Sequence, residues 1–142
     1  MKWLRILWVG VVVGVVFIIL DALINANPLG IKALEFYTSI MRDGILMPVG
    51  IVSDLVSGFV ITFFFALFYK SLPSSSGIVK GIIFGLILGY LRVVMNVAAH
   101  FTMFKMPLGS MFYALGSGIV EMVVLGFLAG LLYRPRSAKQ SA

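Results

Sequence analysis

The 142-residue chain contains no cysteine. That excludes disulfides, thiolate metal sites, iron–sulfur clusters and cysteine nucleophiles. Acidic residues are scarce: five Asp and Glu stand against eleven Lys and Arg, with a single histidine. Charged residues make up only 11% of the chain, too few to solvate an ordinary soluble surface. No phosphate-binding loop, dinucleotide fingerprint, GxSxG turn, HxxxH or ExxH pair occurs. The glycines of "GLILGY" and "GSGIVE" have helix-packing spacing instead. The net charge of +6 would suit nucleic acid, but the basic residues are scattered over short loops and ends. Lys- and Arg-rich cytoplasmic loops explain them better, so the lipid bilayer is the expected partner and nucleic acid is not.

What the chain has is apolar surface. Hydrophobic residues account for 61% of it and the mean hydropathy is +1.12. Soluble domains average roughly 45–50% apolar. Four runs, about residues 4–24, 47–69, 78–104 and 108–133, reach the ~20 residues a membrane-crossing helix needs. They are rich in Val and Ile, poor helix formers in water. In lipid every backbone polar group must be satisfied internally, so helix wins. The expected fold is an all-α integral membrane protein, a four-helix bundle forming one domain over residues 1–134. A short basic tail, 135–142, follows. The opening "MKWLRILWVGVVVG" has the look of a signal peptide, but Asp21 and Pro28 fit a cleavage region badly.

Orientation follows from charge. Lys2, Arg5, Lys70, Lys80, Arg134, Arg136 and Lys139 fall on one side with no acidic partner. Lys32, Arg42 and Lys105 fall on the other, against Glu35 and Asp43. Both termini are therefore expected to be cytoplasmic, in a plasma (inner) membrane. Tyr69, Tyr133, Trp3 and Trp8 suit anchoring on that cytoplasmic side. The first outer loop, "IKALEFYTSIMRDG", puts Lys32, Glu35, Ser39 and Arg42 on one helical face. It reads as a short interfacial helix over about 31–43, stopped by Gly44, serving as a lid or a gate.

"NPLG" after the first run and "MPLG" after the third suggest two tandem hairpin repeats. Aligning the prolines matches Asp21 with His100 and Gly10 with Gly89. The second and fourth runs match Ser57 with Glu121 and Tyr69 with Tyr133. Within each run, small residues recur at helical spacing: Gly10 and Gly14, then Gly81, Gly85 and Gly89, then Gly126 and Gly130. Such glycines let helices approach closely in lipid. Gly50 and Gly116 extend the stripes of the second and fourth runs.

"RVVMNVAAH" continues the third stripe with Arg92, Asn96 and His100, on one face of a regular helix. Together with Asp21, Asp54 and Glu121 they form a candidate intramembrane polar cluster. A mid-membrane ion costs about 2.5–3.5 kcal/mol, so Arg92 is expected to pair between Glu121 and Asp54. Three carboxyls against one arginine leave surplus acid, which a proton or a cation would balance.

The first functional expectation is a transporter or channel-like protein for protons, cations or a small solute, without enzymatic activity and without a cofactor. Glu121 and Asp54 would be the exchanging groups, Arg92 the counter-charge, His100 and Asp21 the outer gate. A wide pore does not fit inside four helices, so transport calls for a homodimer or a one-sided cavity. The alternative is a non-catalytic subunit or assembly factor of a membrane complex. A metal-binding membrane enzyme is a more distant reading, with Asp, Glu, His and Asn as hard or borderline ligands. Haem held by His100 with Met103 or Met106 is more distant still.

Overall fold

The computed structural model describes residues 3–41, 44 and 46–133. Lys2, Arg42, Asp43 and the basic tail lie outside the described residues. Four helices, Trp3–Ala26, Met47–Phe68, Gly77–Met103 and Leu108–Leu132, are long and apolar enough to cross a membrane. They are spans one to four. No strand occurs among the described residues. The chain is an all-α, multi-pass membrane protein built as a four-helix bundle. Only 28–33% of each apolar window is buried inside the protein, which leaves most of the apolar surface for lipid. Trp3, Tyr133 and the short second loop lie at one end, called here the terminal end. The opposite, loop end carries the long first loop.

The spans associate as two hairpins, one with two and three with four, joined mainly by span four against span one. Glycines make each hairpin tight. A Cβ on Gly58 would collide with the Gly14 backbone, and one on Gly10 would lie 2.5 Å from the Phe59 ring. In the second hairpin the backbones meet at Gly81 and Gly126, and again at Gly77 and Gly130. A Cβ on Gly85 would stand 2.6 Å from the Met122 carbonyl. In lipid, where no hydrophobic drive brings helices together, such close packing is the main cohesive force. Gly89 is different, because a Cβ there would make ordinary contact with Ile119 at 3.7 Å. Gly50 and Gly116 have nothing within 4 Å. The two hairpins share a topology, but Gly10 and Gly89, matched by the proline alignment, do not share a packing role.

Span three is not a regular helix. Residues Gly89–Val94 form a π-helical turn, and the Met95 N–H donates to the Tyr90 carbonyl five residues back. One extra residue in a turn retards everything after it by about 100° relative to an α-helix. The buried line therefore runs Gly81, Gly85, Gly89, Val93, Val97 in steps of four. Arg92 and Asn96, expected on that line, are turned off it and exposed.

The short helix in the first loop is present but starts earlier and ends earlier than the 31–43 expected, at Pro28–Leu34. Asn27 sets the start. Its Oδ1 accepts from the Leu29 and Gly30 amides, each at 3.0 Å, and Pro28 occupies the first turn, where no N–H is needed. The Asn27 amide group lies 2.7 Å from the Tyr113 hydroxyl, which itself donates to the Ile24 carbonyl at 2.6 Å. Gly30 is required here, since a Cβ would strike the Ile24 carbonyl. After Leu34 the chain tightens into a 3-10 turn, Glu35–Tyr37. The Thr38 hydroxyl takes the Glu35 carbonyl at 2.8 Å and competes with further helix.

At the terminal end, Lys80 is buried rather than free in a loop. Its Nζ donates to the Tyr69 carbonyl at 2.6 Å and sits 4.5 Å from the Tyr69 ring centre. Tyr69 and Tyr133 pack on Phe65 inside the bundle. They are drawn into the bundle rather than to the lipid surface, whereas Trp3 and Trp8 are 61% and 66% exposed.

Two stability predictions follow from this packing. Gly126→Val should destabilise the protein in detergent by about 1–3 kcal/mol, the usual cost of overpacking. Gly116→Val should leave unfolding unchanged, and equal effects of the two would contradict the assigned contacts. Asn27→Ala should cost about 1 kcal/mol through the lost cap, and Tyr113→Phe should reproduce part of that loss in the same unfolding assay.

Candidate functional site

A cleft of about 430 Å³ opens between the hairpins toward the loop end. Span one contributes Asp21, Ile24 and Asn25; span three contributes Arg92, Asn96 and His100. Span four forms the back wall from Ser110 down to Glu121 and Met122. Eleven residues of helix rise make that wall about 16 Å deep. Phe36 and Tyr37, from the turn after the loop helix, form a roof. The volume lies within the range that holds a small ligand.

Five of the six cluster residues named from the sequence line this cleft. The sixth, Asp54, does not line it, but Asp21, Asp54 and Arg92 all act electrostatically on Glu121. The proposed ion pair is absent. Among the described residues, Arg92 makes no ion pair with Glu121 or Asp54. Its guanidinium instead lies 4.6 Å from the centre of the Phe17 ring, across the gap on span one. Phe17 is buried at 1% exposure, so Arg92 reaches over the cleft and rests on an aromatic face. Asp21 accepts from the Asn25 side chain at 2.9 Å, one turn along its own helix.

Glu121 stands at the deep end. It is 8% exposed, and its Oε1 is buried with no hydrogen-bond partner. Leaving a buried polar group unpaired costs about 1–3 kcal/mol, and more for a charge. Ser117, one turn above, does not help, because its hydroxyl donates to the Tyr113 carbonyl of the same helix at 2.7 Å. The Thr62 hydroxyl is a second buried atom without a partner, but it does not line the cleft.

The roof is aromatic. The Tyr37 ring meets His100 and Phe104 edge-on, with ring centres 5.9 and 6.0 Å apart. His100 is thereby tied to the first loop rather than to Asp21. Burial holds the Tyr37 phenol above its ordinary pKa, so this ring stays neutral. The residues missed in sequence were Phe36 and Tyr37, which form the roof, and Tyr113, whose bond to Asn27 seats the loop over span four. Among the described residues, no three carboxyl or imidazole side chains gather closely enough to hold one metal ion.

The absence of native cysteine makes single cysteines clean probes of this geometry. In bilayers, Asn96→Cys should react with a small polar maleimide at least tenfold faster than Val97→Cys. A regular helix through residues 89–94 would bring the two rates together.

No family model matches the chain, and neither a curated protein nor a solved structure matches it.

Proposed function

We propose that the chain is a small transporter or channel-like protein that passes protons, cations or a small solute, with Glu121 as the exchanging group. The observation that carries this reading is the buried, unpartnered Glu121 oxygen at the floor of a polar cleft. A structural carboxyl in lipid would be hydrogen-bonded or paired, because the penalty for leaving it otherwise is large. A proton or a bound cation removes that penalty reversibly. The charged groups acting on it are Asp21 from span one, Asp54 from span two and Arg92 from span three. Asp21 and Asp54 add negative charge around it, and Arg92 offsets only part of that.

With both termini cytoplasmic, the cleft opens to the outer side, and the Tyr37–His100 contact sits at its mouth as the gate. Span three moves most freely in such a mechanism. It packs along span four and meets the first hairpin through side chains, among them Arg92 on Phe17, Phe84 on Phe65 and Lys80 on the Tyr69 carbonyl. Rocking of one hairpin against the other would expose Glu121 to either side. We read the protein as non-enzymatic, since the hydroxyl nearest Glu121 in sequence, Ser117, is bonded within its own helix.

Proteoliposomes carrying the purified protein and a trapped pH-sensitive dye test this. An imposed pH gradient should collapse faster with the protein than without it, and Glu121→Gln should remove at least nine-tenths of that increment. Unchanged flux in the variant would remove Glu121 from the mechanism.

A further inference from the structure

We infer that the cleft binds a monovalent organic cation, a quaternary or protonated amine with an apolar body, its charge held by Glu121. This deepens the transport reading above and rests on it. The carboxyls of Asp21 and Glu121 line the cleft, and Asp54 adds its field from span two. Against them stands one fixed positive charge, Arg92, which is already engaged with Phe17. An anion would meet net repulsion at the floor.

The next step separates organic from metal cations. A metal ion needs several donors on one small sphere, at about 2–2.6 Å each. No three acidic or imidazole groups among the described residues gather that closely. The available donors are strung along the cleft instead. A cation spread over an organic group tolerates that, because it needs one close carboxylate and otherwise takes contact from apolar and aromatic walls. The cleft supplies both, with the unpartnered Glu121 oxygen at one end and Phe36 and Tyr37 at the other. Arg92 on Phe17 is an internal example of the same chemistry: the protein's own cation settles on a ring face rather than on a carboxylate.

The order of events follows from the geometry. The ligand passes under Tyr37, and its charge reaches Glu121 at the deep end of the cleft. Where Glu121 carries a proton it gives that proton up as the cation arrives, so proton release accompanies binding.

Phenyltrimethylammonium is a suitable probe, with uncharged tert-butylbenzene as its isostere. Isothermal titration of the full chain in nanodiscs should give saturable binding of the cation with proton release. The neutral isostere should not compete. Glu121→Gln should weaken binding at least tenfold, and Tyr37→Ala, at the roof of the cleft, should weaken it several-fold. Binding unaffected by Glu121→Gln, or full competition by the neutral isostere, would overturn the proposal. So would no binding by a protein whose Glu121-dependent proton flux, measured without any organic cation, is intact; that result would leave the transport reading standing. Loss of both binding and flux would defeat the two together.

Discussion

Lipid gives helices no hydrophobic reason to associate, so this bundle depends on how closely its backbones can approach. Gly81 against Gly126 and Gly14 against Gly58 bring helix axes together without side chains between them. Each pair closes one hairpin. The join between hairpins is of another kind, made largely by span four on span one. Span three packs its backbone on span four and reaches the first hairpin through side chains. The space it leaves toward the loop end is the cleft. A chain whose third span carried equal glycine contacts to span one would have no room there.

The polar residues are placed in that space at an energetic cost. An arginine near mid-membrane is unfavourable by about 2.5–3.5 kcal/mol on insertion scales. The π-helical turn adds further cost by departing from regular helix geometry, and such turns recur at functional sites. Here the turn does something definite. It carries Val93 and Val97 onto the buried line and delivers Arg92 and Asn96 to the cleft edge. Arg92 then finds Phe17, and Glu121 is left without a partner. Had Arg92 stayed in phase with Gly85 and Gly89, it would have been driven into span four, where a Glu121 pair would be the natural outcome. The irregular turn keeps the two charges apart and keeps Glu121 available.

How much of this the sequence revealed depends on the range of the physics involved. Hydropathy over twenty residues reports solvent, so four membrane-length helices and an all-α bundle were legible. The polar residues were legible as a set because each is costly in lipid, and five of the six do line one cleft. Their pairing was not legible. It depended on helix phase, and a one-residue slip at Gly89–Val94 leaves no mark in a pattern of apolar residues. The loop helix was misplaced because the face formed by Lys32, Glu35 and Ser39 looked continuous. Asn27 and Pro28 carried the stronger local signal, a cap with proline in the first turn. Lys80, Tyr69 and Tyr133 were assigned to loops and interfaces from residue type alone. Their burial arises from a long-range aromatic cluster around Phe65 that no local pattern encodes.

The central claim is that Glu121 is buried, unpartnered and separate from Arg92. The most direct measurement is a solid-state NMR distance between the Arg92 guanidinium carbon and the Glu121 carboxyl carbon in bilayers, with both residues isotopically labelled. No ion-pair contact is expected, together with a short distance from the Arg92 guanidinium to the Phe17 ring. A carboxyl–guanidinium contact at salt-bridge range would contradict it and would make Glu121 a structural partner of Arg92.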